Sequence, residues 1–419
     1  MELRIRLLWY NTFLLPGVEI SPLLVGLVLE RLANKTALGR RLAGEVERLL
    51  TPLHNFARRP FLTLGQKPNL EPRVREIGQV LIDLMKREDA DATIMALGEV
   101  FAPATRLVLF GAIRELGAQA VYGPPEGIDG VHGEVADWLP PMTRHGGLPL
   151  SGGLFTLAGG LPIRQSESEA FRFLSRGHPI RDPDFWSNKG VLLTELELDE
   201  ETSLELYTTH LFSGHVIGEA IWMGLQRLGY RYPGLFSLLE KALLFEKAFG
   251  QSVERYRHFF DLPEERLLEI QRAQLRQLID FIIDHHGPRN IVVLAGDFNL
   301  DAHEPSHREF LSSELSRLTE AGIELEEVFT ARGTTPKGTI LHLDHLHGPQ
   351  TIGDDPAGLI TEHIDYVFIQ RPGPEHRVEL VVEECRRRTF PRDPVNPGMN
   401  YLSDHMGLEV MLRASPKPR

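Results

Sequence analysis

Ile291-Val292-Val293-Leu294-Ala295-Gly296-Asp297-Phe298-Asn299 joins an unbroken apolar run to a glycine, then to a carboxylate and an amide two residues apart. A short apolar run bounded by turn residues reads as a strand buried on both faces. Gly-Asp or Asn often ends such a strand simply to turn the chain. The alternative is a site in which the carboxylate and amide together hold a phosphate or a metal-bound water. What the rest of the chain brings to the same edge decides between them.

Comparable strand exits recur. His363-Ile364-Asp365-Tyr366-Val367-Phe368-Ile369 reads as a strand carrying Asp365, and Ser403-Asp404-His405 stands just before another, Met406 to Leu412. A histidine beside a carboxylate, with a second Asp on a rigid strand to orient it, is what general base catalysis needs. Leu7-Leu8-Trp9-Tyr10-Asn11-Thr12 carries an Asn out of an apolar strand, and residues 92 to 101 carry Glu99 out of another. Leu204 to Leu211 places His210 at a further strand end. Each has a plain structural reading: Asn11 capping a turn, Glu99 pairing with an arginine, His210 satisfied in the core. Those readings would have to hold for every segment at once.

Taken in order, Asn11, Glu99, His210, Asp297 with Asn299, Asp365, and Asp404 with His405 resemble the endonuclease/exonuclease/phosphatase superfamily, from about residue 4 to residue 412. That superfamily includes deoxyribonuclease I, apurinic endonucleases, inositol polyphosphate phosphatases and neutral sphingomyelinases. The resemblance implies an α/β fold, the four-layer α/β/β/α sandwich, and a phosphoester hydrolase using Mg²⁺, with Mn²⁺ as a substitute. It implies a water activated by His405, with Asp365 fixing the imidazole tautomer, and oriented by Asp297. Asn299 and His210 would donate to the transition-state oxygens, while Glu99, Asn11 and Asp404 would lie at the metal. One departure matters: the family usually has Gln before the metal-binding Glu, and here the pair is Gly98-Glu99. Glu is the ligand, so metal binding is expected to survive with weaker support from its surroundings.

Because one site draws on both Asn11 and His405, residues 1–419 are expected to form a single catalytic domain, with largely helical insertions at about 16–70 and 212–262. Helical periods between the strands fit this, as in Val74, Ile77, Val80, Leu81, Leu84 and in Leu267, Leu268, Ile270, Leu275, Leu278, Ile279, Ile282. The first insertion mixes the apolar run Pro22 to Leu29 with Arg40, Arg41, Arg48, Arg58 and Arg59. The second leaves from His210 and holds many aromatics, Trp222, Tyr230 and Phe236 among them. It reads either as a self-packed helical subdomain or as a lid beside the reacting phosphate, suited to a hydrophobic ester and peripheral membrane contact.

A formal charge of −13 argues against affinity resting on a polyphosphate backbone. Phe185-Trp186-Ser187-Asn188-Lys189-Gly190-Val191-Leu192 resembles the neutral sphingomyelinase version of this strand start. Together they favour a sphingomyelinase-like phosphodiesterase acting on a lipid or small phosphodiester. A nuclease of the same fold is the alternative, with nucleic acid as substrate. A catalytically inactive binding module is a third reading, supported by Gly98 alone. The cluster His342-Leu343-Asp344-His345-Leu346-His347 could suggest a second metal site, but neighbouring glycines, prolines and acids read as a solvated loop.

Cys385 is the sole cysteine, so no intramolecular disulfide forms. No apolar run reaches the ~20 residues of a transmembrane segment. With no leader pattern before the first strand, a cytoplasmic protein is expected; a trimmed leader would leave export open.

Overall fold

The computed structural model describes residues 2–12, 14, 18–20, 62–64, 67–101, 103–125, 151–171, 187–213, 264–332, 338–340, 362–392 and 401–417. The chain divides into two compact units, residues 1–14, 71–215 and 262–419 in one, and residues 15–70 and 216–261 in the other. In the second unit the described elements are β2 (Val18–Ile20) and β3 (Leu62–Leu64), an antiparallel pair with Val18 opposite Leu64. The aromatics expected from Trp222 to Phe236, and the histidines of 342–347, lie outside the described residues.

The first unit is built on two six-stranded sheets. One contains β1 (Leu3–Asn11), β4 (Ala92–Gly98), β5 (Gln119–Gly123), β6 (Leu154–Gly159), β13 (Val378–Arg388) and β14 (Gly407–Pro416), in the order β13-β14-β1-β4-β6-β5. The other contains β7 (Ile163–Ala170), β8 (Gly190–Glu197), β9 (Ser203–His210), β10 (Ile291–Asp297), β11 (Leu325–Glu327) and β12 (Asp365–Gln370), in the order β11-β12-β10-β9-β8-β7. At the centre of each lies one parallel pair, β1 with β4 and β9 with β10. Of these central strands β4 and β10 carry near-continuous apolar runs, because both their faces are covered.

Alternate residues meet between the sheets: Ile5, Leu7, Ile94, Leu206, Val293, Val367 and Val410 belong to one buried cluster. The opposite face of the second sheet, with Val292, Leu294 and Phe368, packs under α3 (Glu264–His285) and α4 (Pro305–Glu320) through Leu275, Leu278, Ile282, Phe310 and Leu318. On the outside of the first sheet run α1 (Lys67–Met85) and α2 (Pro103–Ile113), so close that a Cβ on Gly78 would lie 3.2 Å from that of Ala112. This is the expected α/β/β/α sandwich.

The first sheet's outer face is not wholly apolar. Arg6, fully buried, donates from Nε to Glu409 at 3.1 Å and from Nη1 to the Leu84 carbonyl at 2.9 Å, and also pairs with Asp89. Glu409, 1% exposed, accepts further from Arg386. Breaking such a group from one side strands a buried charge. Glu409→Leu is therefore expected to cost about 3 kcal/mol, read as a lower guanidinium midpoint with unchanged slope. The double variant with Arg6→Met should recover most of that loss.

Candidate active site

Register assembles the site. In the second sheet Asp297 lies opposite His210 on one side and opposite Asp365 on the other. Three polar residues far apart in sequence thus end three adjacent strands in a row. Gly296 permits this approach, since a Cβ there would stand 2.4 Å from the Thr209 carbonyl oxygen. In the first sheet Asn11 pairs with Gly98, which puts Glu99 just past the same edge. The 403–405 segment is pinned against β1: the Ser403 hydroxyl donates to the Asn11 carbonyl at 2.6 Å and accepts from the His405 N–H at 3.1 Å.

The side chains converge on Asn11, whose Nδ2 lies 3.1 Å from Glu99 Oε1, 3.1 Å from Asp297 Oδ2 and 3.5 Å from His405 Nε2. Two N–H groups face three acceptors there. His405 Nδ1 is 2.8 Å from Asp365 Oδ2, and Trp9 Nε1 donates to Asp365 Oδ1 at 2.8 Å. With Asp365 accepting at Nδ1, the imidazole carries its proton there and turns the Nε2 lone pair towards Asn11 and Asp297, whose Oδ2 is 3.9 Å away. Asp297 Oδ1 accepts from the Asn299 N–H at 2.9 Å.

Two of the expected donors have other commitments as well. Asn299 gives one amide hydrogen to the Leu211 carbonyl at 2.9 Å, leaving at most one for a substrate oxygen. His210 Nε2 is 3.0 Å from Lys189 Nζ and 3.5 Å from Asp297 Oδ2. An ammonium donating to Nε2 puts the His210 proton on Nδ1, which has no partner among the described residues. Lys189, 5% exposed, also donates to the Leu211 carbonyl and so sits inside the site as a buried cation. The run Asn188-Lys189-Gly190 was its only sequence signal. Ser403 and Trp9 carried none.

Backbone conformation marks the same edge. Among the described residues, the non-glycine residues with positive φ are Glu99 at 59° and Asn299 at 51°. Asn tolerates the left-handed region, whereas Glu adopts it at a cost of about 1–2 kcal/mol, a strain concentrated at functional sites.

The charges are out of balance. Burial, then Asp404, pushes the Glu99 carboxyl up to about 7. Burial, then Asp365, raises Asp297, and burial raises Asp404. Burial and the neighbouring Lys189 hold His210 well below its ordinary value, as a neutral ring. His405 goes the other way: burial opposes its charge, but Asp365, Asp404 and Asp297 together hold it well above the usual histidine range. Four carboxylates, on Glu99, Asp297, Asp365 and Asp404, face the fixed cations Lys189 and Arg73. These acids outnumber the fixed cations beside them, and a bound divalent cation would relieve that excess.

The donor set fits such an ion. Glu99 Oε2 is buried with no hydrogen-bond partner among the described residues, and an orphaned carboxylate oxygen calls for a cation. Asp297, Asp365 and His405 offer ligand-type atoms all within 4.8 Å of one another. Asp365, however, already has a donor on each oxygen, which leaves Glu99, with Asn11 and Asp404 beside it, as the better ligand group. Oxygen donors of this kind suit Mg²⁺ or Mn²⁺.

The sequence model of the Endonuclease/Exonuclease/phosphatase family matches residues 79–405. Similar solved structures include sphingomyelinase C from Streptomyces griseocarneus, 17% identical, covering 98% of this chain and 99% of that one with a TM-score of 0.44. A humanized D. rerio TDP2 with 14 mutations is 12% identical, covering 98% of both chains with a TM-score of 0.48. The beta toxin of Staphylococcus aureus is 14% identical, covering 98% and 99% with a TM-score of 0.46. No curated protein matches the chain.

Proposed function

Because this chain belongs to the endonuclease/exonuclease/phosphatase family, and is by that membership a phosphoester hydrolase, we propose that it is a Mg²⁺-dependent phosphodiesterase acting on a lipid headgroup or similar small diester. The observation that carries this is the convergence on Asn11 of Glu99, Asp297 and His405, with Asp365 behind the imidazole. His405 Nε2 takes the proton of the attacking water, and Asp365 stabilises the imidazolium that results. Asp297 orients that water. Lys189 and the second N–H of Asn299 offer positive charge and a donor to the phosphoryl oxygens. Glu99, Asn11 and Asp404 would hold the metal, whose charge offsets that growing on the phosphate and leaving oxygen.

Two features support a lipid or small ester over a nucleic acid. The formal charge is −13, unfavourable for a chain that must displace counterions from a polyphosphate. The helix leaving Glu99, α2, carries one charged residue, Arg106, and buries it. Its solvent side shows Leu107, 70% exposed, and Val108, which suits a substrate presented at an apolar surface. Among the described residues no helix is long and apolar enough to cross a membrane.

A panel of sphingomyelin, lysophospholipids, inositol phosphates, and single- and double-stranded DNA, each with Mg²⁺, Mn²⁺ or EDTA, tests this. A lipid phosphodiester should be hydrolysed with either metal and not in EDTA. Cleavage of DNA alone would overturn the substrate assignment, and metal-independent turnover the mechanism.

A further inference from the structure

Trp9 is fully buried on β1, and its indole crosses the space between the sheets to the first residue of β12. There Nε1 donates to Asp365 Oδ1 at 2.8 Å, while His405 Nδ1 holds Oδ2 at 2.8 Å. One donor therefore grips each carboxylate oxygen. A carboxylate held only by the imidazole could still turn, since the terminal sp³–sp² torsion of Asp is broad. A second donor on the other oxygen fixes its plane, and in a dry interior such charge-assisted bonds are strong.

Gly98 makes room for the ring. A Cβ at that position would meet Trp9 Cη2 at 3.1 Å and Cζ2 at 3.3 Å, closer than ordinary contact. The residue preceding Glu99 thus leaves out a side chain where the indole must pass. Packing alone would ask only for a flat apolar ring there; the N–H is the part that addresses Asp365.

We propose that Trp9 is a positioning residue of the hydrolytic site: its indole N–H sets the plane of Asp365 and through it the aim of His405, with Gly98 as the neighbour that admits the ring. This rests on the hydrolase reading of the same site.

The test replaces Trp9 site-specifically with benzothienylalanine, an isostere in which sulfur stands for the indole N–H. Trp9→Phe serves as a second variant. On the phosphodiester that the wild type turns over with Mg²⁺, both should lose about tenfold in kcat with KM nearly unchanged, as a small loss of aim predicts. The isostere should melt with the wild type. In an Asp365→Asn background the isostere should cost nothing more, because that change has already removed the base whose aim the indole sets. Independently of activity, the Trp9 indole proton should resonate downfield and exchange slowly, and should move upfield in Asp365→Asn. An isostere with wild-type kcat, or an indole proton indifferent to residue 365, overturns the role of Trp9 and leaves the hydrolase reading intact. A wild type that hydrolyses no phosphoester, while the indole proton still reports the bond to Asp365, defeats the hydrolase reading and this role with it.

Discussion

His405→Ala is expected to lower kcat by about a thousandfold with the fold intact, within the range that positioned general bases contribute. His405 is 8% exposed, with Nδ1 bound to Asp365 and Nε2 facing Asn11 and Asp297. No other described group has an unprotonated nitrogen aimed at the same point; His210 Nε2 faces Lys189. Asp365→Asn should cost nearly as much by a different route. An Asn amide would donate to Nδ1, move the imidazole proton to Nε2 and abolish the base, as in other His–Asp pairs. The acid limb of kcat/KM gives a second readout. The base must be unprotonated, and Asp365, Asp404 and Asp297 favour its protonated form, so activity falls as pH drops, and the residual rate of His405→Ala should lack that limb. Near-normal turnover by either folded variant would sink the assignment.

The parts legible in the sequence and the parts that were not have different physical origins. Apolar runs such as Ile291 to Ala295 announce strands covered on both faces, and Asp297, Asn299 and Glu99 announce themselves as polar groups at strand exits. That information is local. What brings His210, Asp297 and Asp365 into one row is the pairing register of β9, β10 and β12, which is set by tertiary contacts. Lys189 reads as one more charge before a strand, yet it is buried against His210. Ser403 looks like a turn residue, and its hydroxyl pins the His405 segment to Asn11. Trp9 reads as core, and it is core; only its Nε1 reaches the site. The Gly98 departure, which suggested weaker support around Glu99, also leaves the space that the Trp9 ring uses. Asn299 was legible as a site residue but not as a group already committed to the Leu211 carbonyl.

Glu99→Gln should change activity and metal-free stability in opposite directions. Glu99 carries the positive φ of 59°, a buried oxygen without a partner among the described residues, and a carboxyl pushed up to about 7 by burial and then by Asp404. Without metal this group works against folding. Its folded value lies above the ordinary 4.5, so between those two values the folded chain holds the proton more tightly than the unfolded chain does. Stability contributed by the protonated carboxyl is therefore lost as pH rises through that window. Gln carries no charge to bury, so the metal-free variant should match the wild type near pH 4 and exceed it by about 1–3 kcal/mol near pH 8. With Mg²⁺ the order reverses. The wild type gains about 4.1 kcal/mol at a thousandfold excess over Kd. The variant, lacking the anionic oxygen, gains little and turns over at least about a hundredfold more slowly. Melting curves at pH 8 should then cross on adding metal. A glutamate serving only as a structural partner of Asn11 would shift both curves the same way, with and without Mg²⁺, and that pattern would remove Glu99 from the metal site.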